Sequence, residues 1–257
     1  MAPPRSYRTE ALTLRRSPLG EADLLITLYS KDRGKIRAVA KGARRPVSKL
    51  VGHLEPLIRV QLSLSVGRNL DIITQAQVLN SFNPLKEDLA GITKGLYIAE
   101  LIDGFGSESQ SNPAMYHLAL DILTAIAGNP ASELPLRFFE LRLLLASGLM
   151  PELYDCVQCR KPVAPEGHRF SPNFGGTLCL DCNPPEARIR PISLRALKVL
   201  RLFHHTPSSK APTLNLTPTL AQELKTLLAS TISYWLEKEI RSNSLMEQIQ
   251  RDSKYAV

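Results

Sequence analysis

The chain has 257 residues, 44% of them hydrophobic and 22% charged, with a net charge of +8 at pH 7. These proportions allow a sizeable core and exclude a largely disordered chain. No apolar run approaches the roughly 18 residues of a membrane-spanning helix, and the opening MAPPRSYRTE carries no apolar stretch behind its charges, so neither a membrane segment nor a secretory signal is expected. A cytoplasmic protein is expected instead, where paired cysteines serve as ligands or redox groups more often than as disulfides.

The positive charge is uneven. Residues 1–68 hold 14 Lys/Arg against 5 Asp/Glu, residues 69–159 hold 4 against 11, and residues 160–201 hold 8 against 3. A basic first segment before an acidic middle fits a polyanion-binding face.

From about residue 8 to residue 80 the periodicity is that of strands. Ile58, Val60, Leu62, Leu64 and Val66 alternate with polar neighbours, which predicts one buried and one wet face. Further strands are expected over Thr9–Arg15, Ala22–Tyr29, Lys35–Lys41 and Leu70–Leu79, separated by turn signals at Pro18-Leu19-Gly20, Asp32-Arg33-Gly34, Gly42 and Gly67-Arg68-Asn69. Such a run closes most readily into a small barrel, of OB type first and SH3-like type second. Lys35, Arg37 and Lys41 share a strand face, Arg15 and Arg16 end the first strand, and Arg44, Arg45 and Lys49 sit in a basic loop. Together they make a phosphate-tracking surface. Tyr29 is the only aromatic between residues 8 and 81, so base stacking should be scarce and binding electrostatic, with a steep salt dependence.

After Phe82 the period becomes helical. Asn83-Pro84 signals a start, followed by an apolar stripe of Leu85, Leu89, Ile92, Leu96 and Ala99. Asn112-Pro113 opens a helix with Leu118, Ile122 and Ile126, and Leu134, Phe138, Leu141 and Leu145 mark another that ends near Gly148. Ser193 precedes a helix over 194–205, and Thr217-Pro218 opens a long one reaching about Arg241, with Tyr234 and Trp235 expected in the core. The Pro- and Ser-rich stretch 206–217 is expected as a loop.

Between the two groups of helices stand C-V-Q-C and, nineteen residues later, C-L-D-C. Two C-x-x-C pairs at this separation read as a four-thiolate zinc site made by Cys156, Cys159, Cys179 and Cys182. Four thiolates leave no open position, so one structural zinc ion is expected; a dithiol redox pair and disulfides are the rival readings. The Gly- and Pro-rich segment between the pairs cannot build its own core and would take its folding energy from the metal. The adjacent His204 and His205 are expected on different helix faces. P-loop, dinucleotide, H-E-x-x-H and G-x-S-x-G motifs are absent, and no enzyme activity is expected.

The run L-R-R-S-P-L-G-E-A-D-L-L-I-T-L-Y-S-K-D-R-G-K-I-R-A-V-A-K-G-A-R-R-P at 14–46 resembles the N-terminal domain of the RecO family of bacterial recombination mediators. The resemblance continues through G-H-L-E-P-L at 52–57, G-R-N-L-D-I-I-T-Q-A-Q at 67–77 and F-E-L-R-L-L-L-A-S-G-L-M-P at 139–151. It implies an α+β multidomain protein: an OB-fold domain over residues 1–80, then a helical domain over 81–257 with a zinc module at about 152–186. It also implies binding of single- and double-stranded DNA, ATP-free annealing, and work with RecR on strands coated by the single-stranded-DNA-binding protein (SSB), with RecF a further candidate partner. A zinc-ribbon adaptor that binds only proteins is the alternative, and a nucleic-acid enzyme such as a nuclease is the second rival.

Overall fold

The computed structural model describes residues 5–46, 48–163, 168–185, 188–207, 212–237, 240–244, 246 and 248. Residues 164–167 of the cysteine module, its expected end at 186, residues 208–211 of the loop and residues 238–239 of the last expected helix lie outside the described set. The chain forms two compact units, one of residues 1–130 with 240–257 and one of residues 131–239.

The first unit is built on five strands: β1 (Ser6–Leu19), β2 (Asp23–Ser30), β3 (Gly34–Ala40), β4 (Arg59–Ser65) and β5 (Asp71–Asn80). They close into a barrel in the order β1-β2-β3-β5-β4. Only β3 and β5 pair in parallel, through Ala38↔Asp71 and Val39↔Ile72. Shared by both halves of the barrel, β1 pairs through Ser6–Leu12 with β4 and through Ala11–Leu19 with β2, and its register slips between Thr13 and Arg15. A bulge of this kind bends one strand so that it can serve two sheets. The arrangement is OB-like, which decides between the two barrels expected from sequence.

The interior is aliphatic: Leu24, Ile26, Leu28, Ile36, Ala38, Ala40, Val60, Leu62 and Leu64 all belong to one buried cluster. Period two therefore holds along β4, but it stops at Ser65, and Val66 beyond it is 54% exposed. β1 runs four residues past the expected Arg15, because its end pairs with β2 as a hairpin down to Leu19↔Asp23.

A single turn, α1 (Asn83–Lys86), precedes α2 (Leu89–Phe105) and α3 (Pro113–Gly128). The Asn83-Pro84 signal opens only α1; α2 has its own N-cap, Asp88, whose carboxylate accepts from Gly91 N at 2.7 Å. This break shifts the helical phase. Of the expected stripe Leu85 and Ala99 are buried, but Leu89 is 59% exposed, and the buried face of α2 also takes in Gly91, Lys94, Gly95, Ile98, Leu101 and Ile102. Gly95 makes room there for Leu57, since a Cβ would stand 2.7 Å from Leu57 Cδ1 and that side chain would have to turn. The third helix starts as expected at Asn112, which caps Met115 N at 3.0 Å, and buries Leu118, Ile122 and Ile126. It is fastened to the barrel by Tyr116, whose hydroxyl donates to Glu10 Oε1 at 2.8 Å, while Arg59 holds the same oxygen at 2.8 Å. Helices α1–α3 thus belong with the barrel in the first unit, although their sequence reads as the start of a helical region.

The second unit holds α4 (Leu134–Ala146), a three-stranded sheet of β6 (Arg169–Ser171), β7 (Gly176–Leu178) and β8 (Arg190–Pro191), then α5 (Leu194–His205) and α6 (Pro218–Leu236). Helix α6 ends at Leu236, with Glu237 at φ 51°, short of Arg241. Its buried stripe, Leu224, Leu227, Leu228, Thr231 and Ile232, gives out one turn earlier. Tyr234 and Trp235, expected in the core, are each 41% exposed and pack edge to face on one another at 5.3 Å.

Candidate metal centre and basic barrel face

The four cysteines converge. Their sulfurs all lie within 4.8 Å of one another, and Cys159 and Cys179 stand 3.8 Å apart. Tetrahedral thiolates about 2.3 Å from a zinc ion have edges of about 3.8 Å, so the set fits such an ion. All four cysteines are free, and a disulfide at about 2.05 Å does not describe the cluster. Burial pushes the Cys156 thiol up, but the backbone N–H groups of Cys159, Cys179 and Gln158 outweigh it and bring the group down to about 6. Cys182 is pushed up to about 12, first by its hydrogen bond with Cys179 and then by burial. Four sulfurs this close cannot all ionise without a cation among them.

Each cysteine pair is held by its own scaffold. In the first, Cys156 N donates to Lys161 O and Arg160 N to Cys156 O, both at 2.9 Å, with Arg160 at φ 61°. Glu152 leads into it, accepting from Tyr154 N at 2.8 Å and Asp155 N at 3.2 Å. Burial works against the Glu152 carboxylate, but these N–H groups and the Arg160 charge hold it below the usual range. Gly176 lets β7 run against this lead-in, for a Cβ there would meet Glu152 O at 2.5 Å. Around the second pair, a single nitrogen, Arg169 Nη2, donates to Cys179 O at 2.5 Å, Leu180 O at 2.7 Å and Cys182 O at 2.6 Å. Arg201 fastens the lead-in to α5, with Nε and Nη2 at 2.9 and 2.6 Å from Leu153 O. The His204 and His205 rings lie 5.0 Å apart, and Tyr154 OH meets His205 Nε2 at 2.7 Å.

The eight basic residues singled out in the first segment divide in space. Arg15, Thr27 and Arg37 are in register across β1, β2 and β3, so Arg15 and Arg37 share the outer face and both are exposed. Lys41 follows the end of β3 rather than sharing the strand with Arg37, and it is exposed. Arg44 and Arg45 lie in the following turn, which is tied to the first hairpin through Arg44 N to Ala22 O at 2.9 Å and Gly42 N to Asp23 Oδ1 at 2.7 Å. Arg16 pairs with Glu55 at 3.5 Å. Lys35 is committed inward: its Nζ donates to Asp103 O at 2.6 Å and lies 3.4 Å from Asp103 Oδ1. Lys49 lies apart from these, beside a groove on the β4–β5 face.

Tyr29 is 1% exposed and offers no ring to a base. The Tyr7 ring, on β1, carries the Arg33 guanidinium at 3.9 Å. No motif marks Arg169 or Arg201 as part of the cysteine module, since what they hold are backbone carbonyls brought near by folding.

The family model described as Recombination protein O N terminal matches residues 1–82, and the one described as Recombination protein O C terminal matches residues 86–244. The chain is 38% identical over 247 residues to the DNA repair protein RecO of Roseiflexus sp. (strain RS-1), covering 96% of this chain and 87% of that one. It is 36% identical over 246 residues to the DNA repair protein RecO of Desulforudis audaxviator (95% and 98% covered). A third relative, the DNA repair protein RecO of Dehalococcoides mccartyi (strain ATCC BAA-2266 / KCTC 15142 / 195), is 33% identical over 251 residues (98% and 99% covered).

Proposed function

The chain belongs to the RecO family of DNA repair proteins, and on that premise we propose that it binds single- and double-stranded DNA through its barrel and anneals complementary strands without ATP. The observation that carries this reading is the exposed row of Arg15 and Arg37 on an OB-like barrel, extended by Lys41, Arg44 and Arg45. Phosphates of two strands repel, and cations on one face neutralise part of that charge. With Tyr29 buried and the Tyr7 ring under Arg33, bases are not held by stacking and stay available for pairing. The protein acts as a mediator rather than an enzyme, in the cytoplasm, with RecR, RecF and SSB as partners. The four cysteines hold one structural zinc ion.

The test is annealing of complementary oligonucleotides precoated with the cognate SSB. Wild type should anneal them without ATP, and a variant with Arg15→Ala, Arg37→Ala and Lys41→Ala should not at moderate salt. Binding of RecR with no affinity for DNA in any form would favour an adaptor that touches only proteins.

A further inference from the structure

The outer face of β4 and β5 is unlike the rest of the barrel. Core residues of β4 alternate with Gln61 and Ser63, which face outwards opposite Gln77 and Gln75 of β5. Arg8 of β1 stands in register with Ser63, so one row reads Arg8, Ser63, Gln75 and the next reads Glu10, Gln61, Gln77, where the Glu10 carboxylate is taken up by Arg59 and Tyr116. Lys49 and His53, from the segment that follows the basic turn, wall this face into a groove of about 630 Å³. No carboxylate lines it, whereas the cleft at the β2–β3 turn contains Asp32, Asp71 and Glu108. The His53 Nδ1 atom is enclosed and has no hydrogen-bond partner.

We propose that this groove is a second segment of the single-strand path, resting on the reading above, in which unpaired bases meet the amides of Gln61, Gln75 and Gln77 and the phosphates meet Arg8 and Lys49. A primary amide both donates and accepts, so three of them in adjacent rows can satisfy the open edge of any base. The same edges in a duplex are already paired, so the groove selects single strands. Its position fits a continuous path, because the loop that leaves β3 carries Lys41, Arg44 and Arg45 first and reaches the groove at Lys49. Cations and amides thereby have separable roles: the first set the salt dependence, the second the preference for unpaired strands.

The experiment uses the full chain and a labelled oligonucleotide of mixed sequence, alone or annealed to its complement, titrated at several salt concentrations. Changing Gln61, Gln75 and Gln77 together to Ala should weaken single-strand binding about tenfold, leaving the salt slope and duplex binding as in wild type. Arg8→Ala with Lys49→Ala should instead reduce the single-strand slope by about 1.4, at about 0.7 for each phosphate no longer neutralised. Gln77→Glu, nearly the same shape as the native side chain, should also weaken single-strand binding and guards against misfolding of the triple variant. Unchanged single-strand affinity in both the triple variant and Gln77→Glu, while Arg15→Ala with Arg37→Ala still loses binding, would remove the groove and leave the proposed function standing. Wild type that binds neither form would overturn that function itself.

Discussion

Lys35 and Arg37 are two residues apart on one strand, yet they have different work. Lys35 reaches Asp103 near the end of α2, while Arg37 is exposed in the same cross-strand row as Arg15, with Thr27 between them. Arg37→Ala should therefore lower the single-strand salt slope by about 0.7, the share of one phosphate. Lys35→Ala should leave that slope unchanged and cost on the order of 1 kcal/mol of stability, because it removes a part-buried charged hydrogen bond. Fluorescence titrations over a salt series, paired with thermal melts, separate the two effects. Arg169 makes a similar point at the cysteines. Its Nη2 gathers three carbonyls between Cys179 and Cys182, so it fixes where two of the four sulfurs point and places a positive charge beside them. Arg169→Ala should weaken metal binding about 10- to 100-fold, the usual cost of losing a group that orients ligands. Competition with a chromogenic chelator reads this directly, and Arg169→Lys, whose ammonium keeps the charge and offers three N–H donors from a single nitrogen but on a shorter side chain, should recover part of the loss.

Elements were legible where one face is buried and the other wet. Val60, Leu62 and Leu64 announce β4 because every second side chain enters the barrel, and Asn112 announces α3 because its side chain caps the first turn. The stripe through Leu89 and Ile92 failed for a local reason: Asp88 restarts the helix after α1, and the phase turns with it. Tyr234 and Trp235 failed for a tertiary one, since whether the last turn of α6 has anything to pack against is not written in its own residues. The cysteine site was legible because C-x-x-C spacing is itself the geometry of a tetrahedral edge, whereas its supports act through carbonyls contributed by distant segments. Gly176 is such a support, and its replacement is diagnostic. A Cβ would press on Glu152 O, a backbone atom that cannot swing away. Gly176→Ala should break the pairing between the lead-in and β7 and release metal more readily at neutral pH, while single-strand binding by the barrel face stays at the wild-type level.

Across the whole chain, stability comes from two sources of different kind. The barrel unit has a closed aliphatic core of its own. The cysteine module has strands of three, three and two residues, far too little to cohere without help. Structural zinc typically supplies about 10–16 kcal/mol to modules of this type. Removing metal should consequently act on one unit and spare the other. In hydrogen exchange after chelation, amides that now close the cysteine turns, such as Cys156 N and Thr177 N, should lose protection, whereas those of β2 and β4 should keep theirs. The same apo-protein decides where DNA lies. Arg188, Arg190, Arg195 and Lys198 are exposed in the second unit. If the barrel face and its groove carry the whole path, metal-free protein will bind single strands with wild-type affinity and salt slope. A slope that falls by more than one phosphate on chelation would extend the path to those four cations.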